Sequence, residues 1–278
     1  MCIRDSREMV LSSRERFLRA VCHEDPDRVP IFESLGVESP TADIVLGRPS
    51  ISGSAERRLR LALEGRFDEI RRGVMKESLD LTVTLKFDAA NIVLPPYRKT
   101  PPPESRPRLL GEGLYALGDT VHQFIPQSGV DHEVDSKIKR EGVPAFEEHV
   151  RALERESDAD MKEAEEAFAE YDRELGRLYQ RMEIPTCSAA GHVPMGASWF
   201  HHFLTWFYVH PELVRRFFRA ETKRNLRWMK LAIDYGAEFM IIHGDIACTQ
   251  GPFISPRSYH EFLFPEIREQ VQFLHRRG

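Results

Sequence analysis

The stretch that most limits what this chain can fold into lies between a long helical pattern ending at Gly236 and a helix opened by Ser255-Pro256. Residues 237–242 (AEFMII) form a short apolar run, long enough for one buried strand. His243, Gly244 and Asp245 follow, three residues that a buried strand does not favour. After a polar, glycine-bearing loop, Ser255 stands at an N-cap position and Pro256 at the first helical position. The order is therefore helix, strand, polar loop, helix, with ionisable groups at the strand's carboxyl end. In parallel α/β folds, ligands bind at that end.

The same unit recurs along the chain. Ser12 and Glu15 read as a capping box opening a helix with Phe17, Leu18 and Val21 on one face. Residues 28–32 (RVPIF) read as a first strand ending at Glu33, and Pro30 suits an early rather than a central strand position. Residues 55–73 are helical, with Leu59, Leu63, Phe67 and Ile70 at three- and four-residue spacing. Residues 87–94 (FDAANIVL) and 184–190 (IPTCSAA) read as a second and a third strand, the latter ending at Gly191-His192. Residues 157–180 form an amphipathic helix with Met161, Ala164, Phe168, Tyr171, Leu175 and Leu178 along its stripe. Residues 211–235 make the longest helix, and 237–242 the fourth strand. This alternation predicts a parallel sheet with covering helices. The proline-dense residues 95–107 and a hairpin at 109–125, turning at Gly118-Asp119, read as an insertion at about 95–126. Residues 1–11 read as a tail, and 12–278 as one domain.

Composition narrows the function classes. A net charge of -5 and a pI of about 6.1 argue against a nucleic-acid partner. No apolar run approaches the ~18 residues of a membrane span, and the charged N-terminus carries no apolar signal segment. The four cysteines include no CxxC pair, which suits a reducing, cytoplasmic setting.

The residues DRVP at 27–30, FDAANIV at 87–93, HPELVRRFF at 210–218 and the whole run 235–267 resemble the uroporphyrinogen decarboxylase superfamily. The resemblance implies a TIM-type (β/α)8 barrel. Four strand-helix units are legible, so the chain is expected to hold the first four or so, as an open curved sheet with an edge at 237–242, the remaining units lying beyond Gly278. The superfamily contains true decarboxylases and cobalamin-linked methyltransferases. Decarboxylases carry Arg-Gln-Ala-Gly-Arg after the first strand, where this chain has Glu33-Ser34-Leu35-Gly36-Val37. Their Asp after the second strand is replaced by Pro95-Pro96, and their Tyr after the third by Trp199 and Phe200. The resemblance thus implies methyl transfer between a corrinoid held by a partner protein and a small thiol-type acceptor. Zinc would be held by a His-x-Cys pair that also falls beyond Gly278. The alternatives are uroporphyrinogen decarboxylation in porphyrin biosynthesis and a non-catalytic fragment or binding protein.

Asp245, His243, His192 and Glu33 are the candidate catalytic residues, because each follows a predicted strand end. For Asp245 the competing reading is a structural carboxylate bonding loop N–H groups. His201 and His202, in the aromatic segment SWFHHFLTWFYVH, read as core or surface histidines, and Cys187 as a core thiol. Cys248 has no paired metal ligand nearby in sequence. The helix at Ser255 offers free N–H groups as a possible anion cradle.

Overall fold

The computed structural model describes residues 10–33, 36–94, 101–125, 129–191 and 193–277, and within them the chain is a mixed α/β protein. Helices α1 (Ser13–Val21), α2 (Thr41–Leu46), α3 (Ala55–Leu63) and α4 (Phe67–Thr84) precede a two-residue strand, β1 (Ala90–Asn91). Four antiparallel strands follow: β2 (Arg108–Gly111), β3 (Leu114–Leu117), β4 (Thr120–Ile125) and β5 (Val130–Asp135). Then come α5 (Lys137–Glu141), α6 (Val143–Arg155), α7 (Lys162–Tyr171), α8 (Arg177–Arg181), β6 (Thr186–Gly191), α9 (Phe200–Val209), α10 (Pro211–Asp234) and β7 (Phe239–His243). A small hairpin, β8 (Ala247–Cys248) and β9 (Gly251–Pro252), leads to α11 (Pro256–Ser258) and α12 (Phe264–His275). No helix among the described residues is long and apolar enough to cross a membrane.

The parallel sheet has the order β1-β6-β7, with Asn91 opposite Cys187 and Gly191 opposite His243. Among the described residues β7 pairs on one side only. The expected first strand forms no ladder. Pro30 has no N–H, and the Ile31 N–H goes to the Asp88 carboxylate at 2.8 Å while the Ile31 carbonyl accepts from the Asp88 N–H at 2.7 Å. Residues 28–33 therefore lie extended beside β1, tied by one side chain rather than by a strand ladder. The second strand shrinks to its two paired residues for the same reason. Leu11 is already buried, its N–H bonded to Asp27 at 3.1 Å.

α1 packs across the amino ends of the sheet. The Arg14 N–H donates to the Glu183 carbonyl, its side chain pairs with Glu238, and the Phe17 ring lies 4.7 Å from that of Phe239. The expected helix over 55–73 is instead two helices. Gly65, at φ +73°, breaks the chain between α3 and α4, and α4 runs on past Gly73 to Thr84. Gly73 belongs inside α4 because Ile51 crosses it: a Cβ there would sit 2.6 Å from Ile51 Cδ1.

The insertion is larger than a hairpin. The turn at Gly118-Asp119 forms as expected, with Leu117 opposite Thr120, but β2 and β5 flank it to make a four-stranded meander reaching Asp135. The expected proline-run residues 95–100 lie outside the described residues. The meander is pinned to the domain at Gly129, whose carbonyl accepts from the Ala55 N–H, and at Glu133, which accepts from Ser198 N and Oγ.

Besides a small cluster of Ala62, Phe67, Ile70 and Val74 between α3 and α4, two apolar clusters hold the layers. The larger one is aromatic, with Phe146, Trp199, Phe203, Trp206, Phe217 and Phe218 packed between α6, α9 and α10. Trp206 stacks on Phe146 with centroids 4.6 Å apart, and Phe203 meets Phe217 edge-on at 5.3 Å. The smaller cluster joins α4 and α7–α8 to β1 through Met75, Ala90, Tyr171, Leu175 and Tyr179.

Candidate functional site

His243 is the last residue of β7 and is exposed. Its ring lies over Gly191, where a Cβ would be 3.7 Å from His243 Cε1. Asp245 is exposed two residues further on. The loop carrying it is short because β8 and β9 close at once and because the Tyr259 hydroxyl and the Phe253 N–H both bond to the Ile246 carbonyl. His192 lies outside the described residues.

Glu33 is exposed, and its carbonyl accepts from Asn91 Nδ2 at 3.2 Å. The ladder partner of Asn91 is Cys187, whereas the partner of His243 is Gly191, four residues further along β6. At ~3.3 Å per residue this offset is about 13 Å, with strand spacings of about 4.8 Å to cross besides. Glu33 is therefore set back from His243 and Asp245. The sheet does not bring it into a proton-sharing cluster with them.

Glu33 instead lines a cavity of about 230 Å³ beside β1. Val74, Ser78, Leu81 and Thr82 of α4 form one wall, and Phe87, Ala89, Asn91 and Val93 another. Ser52, Gly53 and Arg58 close it on a third side, and Gly129-Val130 of the meander covers it. Its apolar walls carry a few polar groups, the usual make-up of a small-molecule site. Behind α4, the Tyr179 hydroxyl lies 3.4 Å from Ser78 Oγ and 3.3 Å from Thr82 Oγ1. Glu77, also on α4, is buried and orders the loop that closes the cavity. It accepts from Ile51 N at 2.8 Å, from Ser52 N at 2.7 Å and from Arg48. The partners of Glu77 lie far from it along the chain and leave no local sequence signal, and those of Arg58 are backbone carbonyls that no side-chain pattern marks.

A larger cleft of about 700 Å³ lies at the opposite, amino end of the sheet, lined by Arg14, Asp172, Thr186, Asp234 and Glu238 among others. Most of its charges are paired, Arg14 with Glu238, Asp234 with Lys230 and Asp172 with Arg177, while Glu183 on the same lining is exposed. It reads as a solvated groove.

The described residues do not make a zinc site. No three His, Cys, Asp or Glu side chains among them are gathered to hold a metal ion. Cys187 is buried and its thiol donates to Asn91 Oδ1 at 2.9 Å. Burial pushes that thiol up to about 12, the opposite of what a thiolate ligand needs. Cys248 is exposed on β8. The anion cradle expected at Ser255 keeps few free donors, for Pro256 has no N–H, Ser255 Oγ takes the Ser258 N–H at 3.1 Å and the Ser255 carbonyl takes the Tyr259 N–H at 3.1 Å. His201 and His202 are exposed on α9, while Trp199, Phe200, Phe203 and Trp206 around them are buried.

No family model and no curated protein matches this chain.

Proposed function

We propose that the protein is a small-molecule enzyme of the uroporphyrinogen decarboxylase superfamily, transferring a methyl group between a corrinoid held by a partner protein and a small thiol-type acceptor. The observation that carries the reading is the exposed pair His243 and Asp245 just past the carboxyl end of a parallel strand, where ligands bind in such folds. The choice of methyl transfer over decarboxylation rests on residues 33–37, which hold no arginine to pair with a porphyrinogen's carboxylates. A corrinoid supplies the methyl group when bound. This chain's own residues hold the acceptor and take its proton, since a thiol attacks only as the thiolate. Asp245 and His243 are the groups at that end able to accept it, and no step is assigned to zinc.

The test uses the protein with methylcobalamin and 2-mercaptoethanol as probes. Asp245→Asn and His243→Gln should each lower the thiol-dependent demethylation rate about a hundredfold or more, within the ~10²–10⁴-fold range of general acid–base catalysis. Glu238→Gln, at the amino end, should leave it unchanged. Equal rates for all three variants and wild type would sink the assignment.

A further inference from the structure

We propose that the cavity beside β1 binds a small molecule with an apolar body and a single carboxylate, and that Arg58 reads the carboxylate. The inference goes beyond the functional reading above, because the cavity is set back from His243 and Asp245 and neither lines it. Arg58 is half-buried and lines the cavity. Its Nη1 donates to the carbonyl of Ile51 at 3.2 Å and to that of Ser52. Among the described residues no carboxylate pairs with it. Its neighbours in the same region are all occupied. Arg57 is held by both oxygens of Asp43 at 2.7 Å, and Arg48 by Glu77.

The consequence is a guanidinium fixed by one nitrogen with its other donors unused. A guanidinium presents five N–H donors in a planar fork that matches a carboxylate. Two backbone carbonyls hold the fork, so little side-chain entropy remains to be lost when an anion docks. Facing it, Val74, Leu81, Phe87 and Val93 offer an apolar wall. The volume of about 230 Å³ is below the ~300–1,000 Å³ of drug-sized sites, which limits the ligand to a small body. Glu33 and Glu38 also line the cavity, but both are exposed, where solvent screens them. Arg58, being less exposed, acts more strongly on a bound charge. The planar fork matches a carboxylate's two oxygens, and the small volume favours that group over a bulkier phosphate ester.

The test is a ligand-observed NMR titration of the whole chain with four probes sharing one apolar body: 3-phenylpropanoate, 3-phenylpropan-1-ol, 3-phenylpropylamine and 2-phenylethyl phosphate. The acid should bind at least about tenfold tighter than the alcohol, and tighter than the amine and the phosphate. Arg58→Gln should erase the preference for the acid over the alcohol, while Arg58→Lys should keep part of it. Val93→Phe, which fills the cavity, should weaken all four probes. Because Arg58 also ties down residues 51 and 52, thermal melts accompany each variant, and Arg58→Lys carries the test if Arg58→Gln unfolds. Failure of any probe to bind wild type, tighter binding of the alcohol or amine, or an acid preference that survives Arg58→Gln would overturn the proposal. Tighter binding of the phosphate would overturn the carboxylate assignment. No turnover enters these measurements, so their failure leaves the roles of Asp245 and His243 to be judged by the rate assay alone.

Discussion

Asp88 shows how much of this structure hangs on single side chains. It is fully buried and accepts from Arg16 at 2.7 Å, from both nitrogens of the Arg28 fork at 2.7 and 2.9 Å, and from Ile31 N at 2.8 Å. Burial opposes its ionisation, but Arg28, the Ile31 N–H and Arg16 outweigh it and hold the carboxyl below its ordinary range. Asp27 is likewise held down, chiefly by Arg16. A carboxyl depressed in the folded state contributes stability above its unfolded pKa of about 3.9 and loses it as pH falls through the folded value. Unfolding free energy from denaturant titrations should therefore be level near neutral pH and fall steadily below about pH 4. Asp88→Ala should cost about 3–5 kcal/mol at pH 7, because it leaves Arg16 buried without this partner. A variant as stable as wild type would contradict this. None of it was legible in FDAAN, because every partner of Asp88 is more than fifty residues away. The Ser12–Glu15 capping box was legible because both partners sit within one helical turn, and it forms as expected. Arg58 was illegible for another reason: its partners, the carbonyls of Ile51 and Ser52, are close in sequence but no side-chain pattern marks them.

At the scale of elements, periodicity predicted most helices and failed where the helical phase changes. The stripe through Phe168, Tyr171 and Leu175 is buried as expected, but the next inward residue is Tyr179, not Leu178. The cause is a π turn over Asp172–Gly176, which adds a residue to the turn and shifts the face by one position. A second π turn, Tyr259–Leu263, comes just before Pro265 near the start of α12. Gly65 split a predicted helix because a residue in the left-handed region cannot continue one. The strands differ in a measurable way. β6 is bonded on both sides and largely buried, whereas β7 is bonded on one side and its residues from Phe239 to Ile242 are only half-buried. In hydrogen exchange followed by mass spectrometry, peptides covering β6 should stay protected after peptides covering β7 have exchanged. Equal protection would mean that β7 is covered on its free edge.

Across the whole molecule, the alternation of helix and short apolar run gave the right class and the right neighbours. β1, β6 and β7 pair in parallel and in chain order, with residues 28–33 beside β1. The candidate site was legible as a place rather than as a set of residues. Asp245 and His243 stand at the carboxyl end of β7, yet Glu33 is set back because Asp88 and Asn91 hold its segment low against β1. The meander was half-legible: its central turn has a sequence signal in Gly118-Asp119, but the outer strands alternate weakly, and β2 is exposed throughout. We propose that this protein moves a methyl group and does not decarboxylate. The most direct measurement gives the protein uroporphyrinogen in one vessel and methylcobalamin with 2-mercaptoethanol in another, and follows porphyrin products by fluorescence and the corrin spectrum by absorbance. The account predicts unchanged uroporphyrinogen and thiol-dependent loss of methylcobalamin; formation of coproporphyrinogen with methylcobalamin untouched would contradict it.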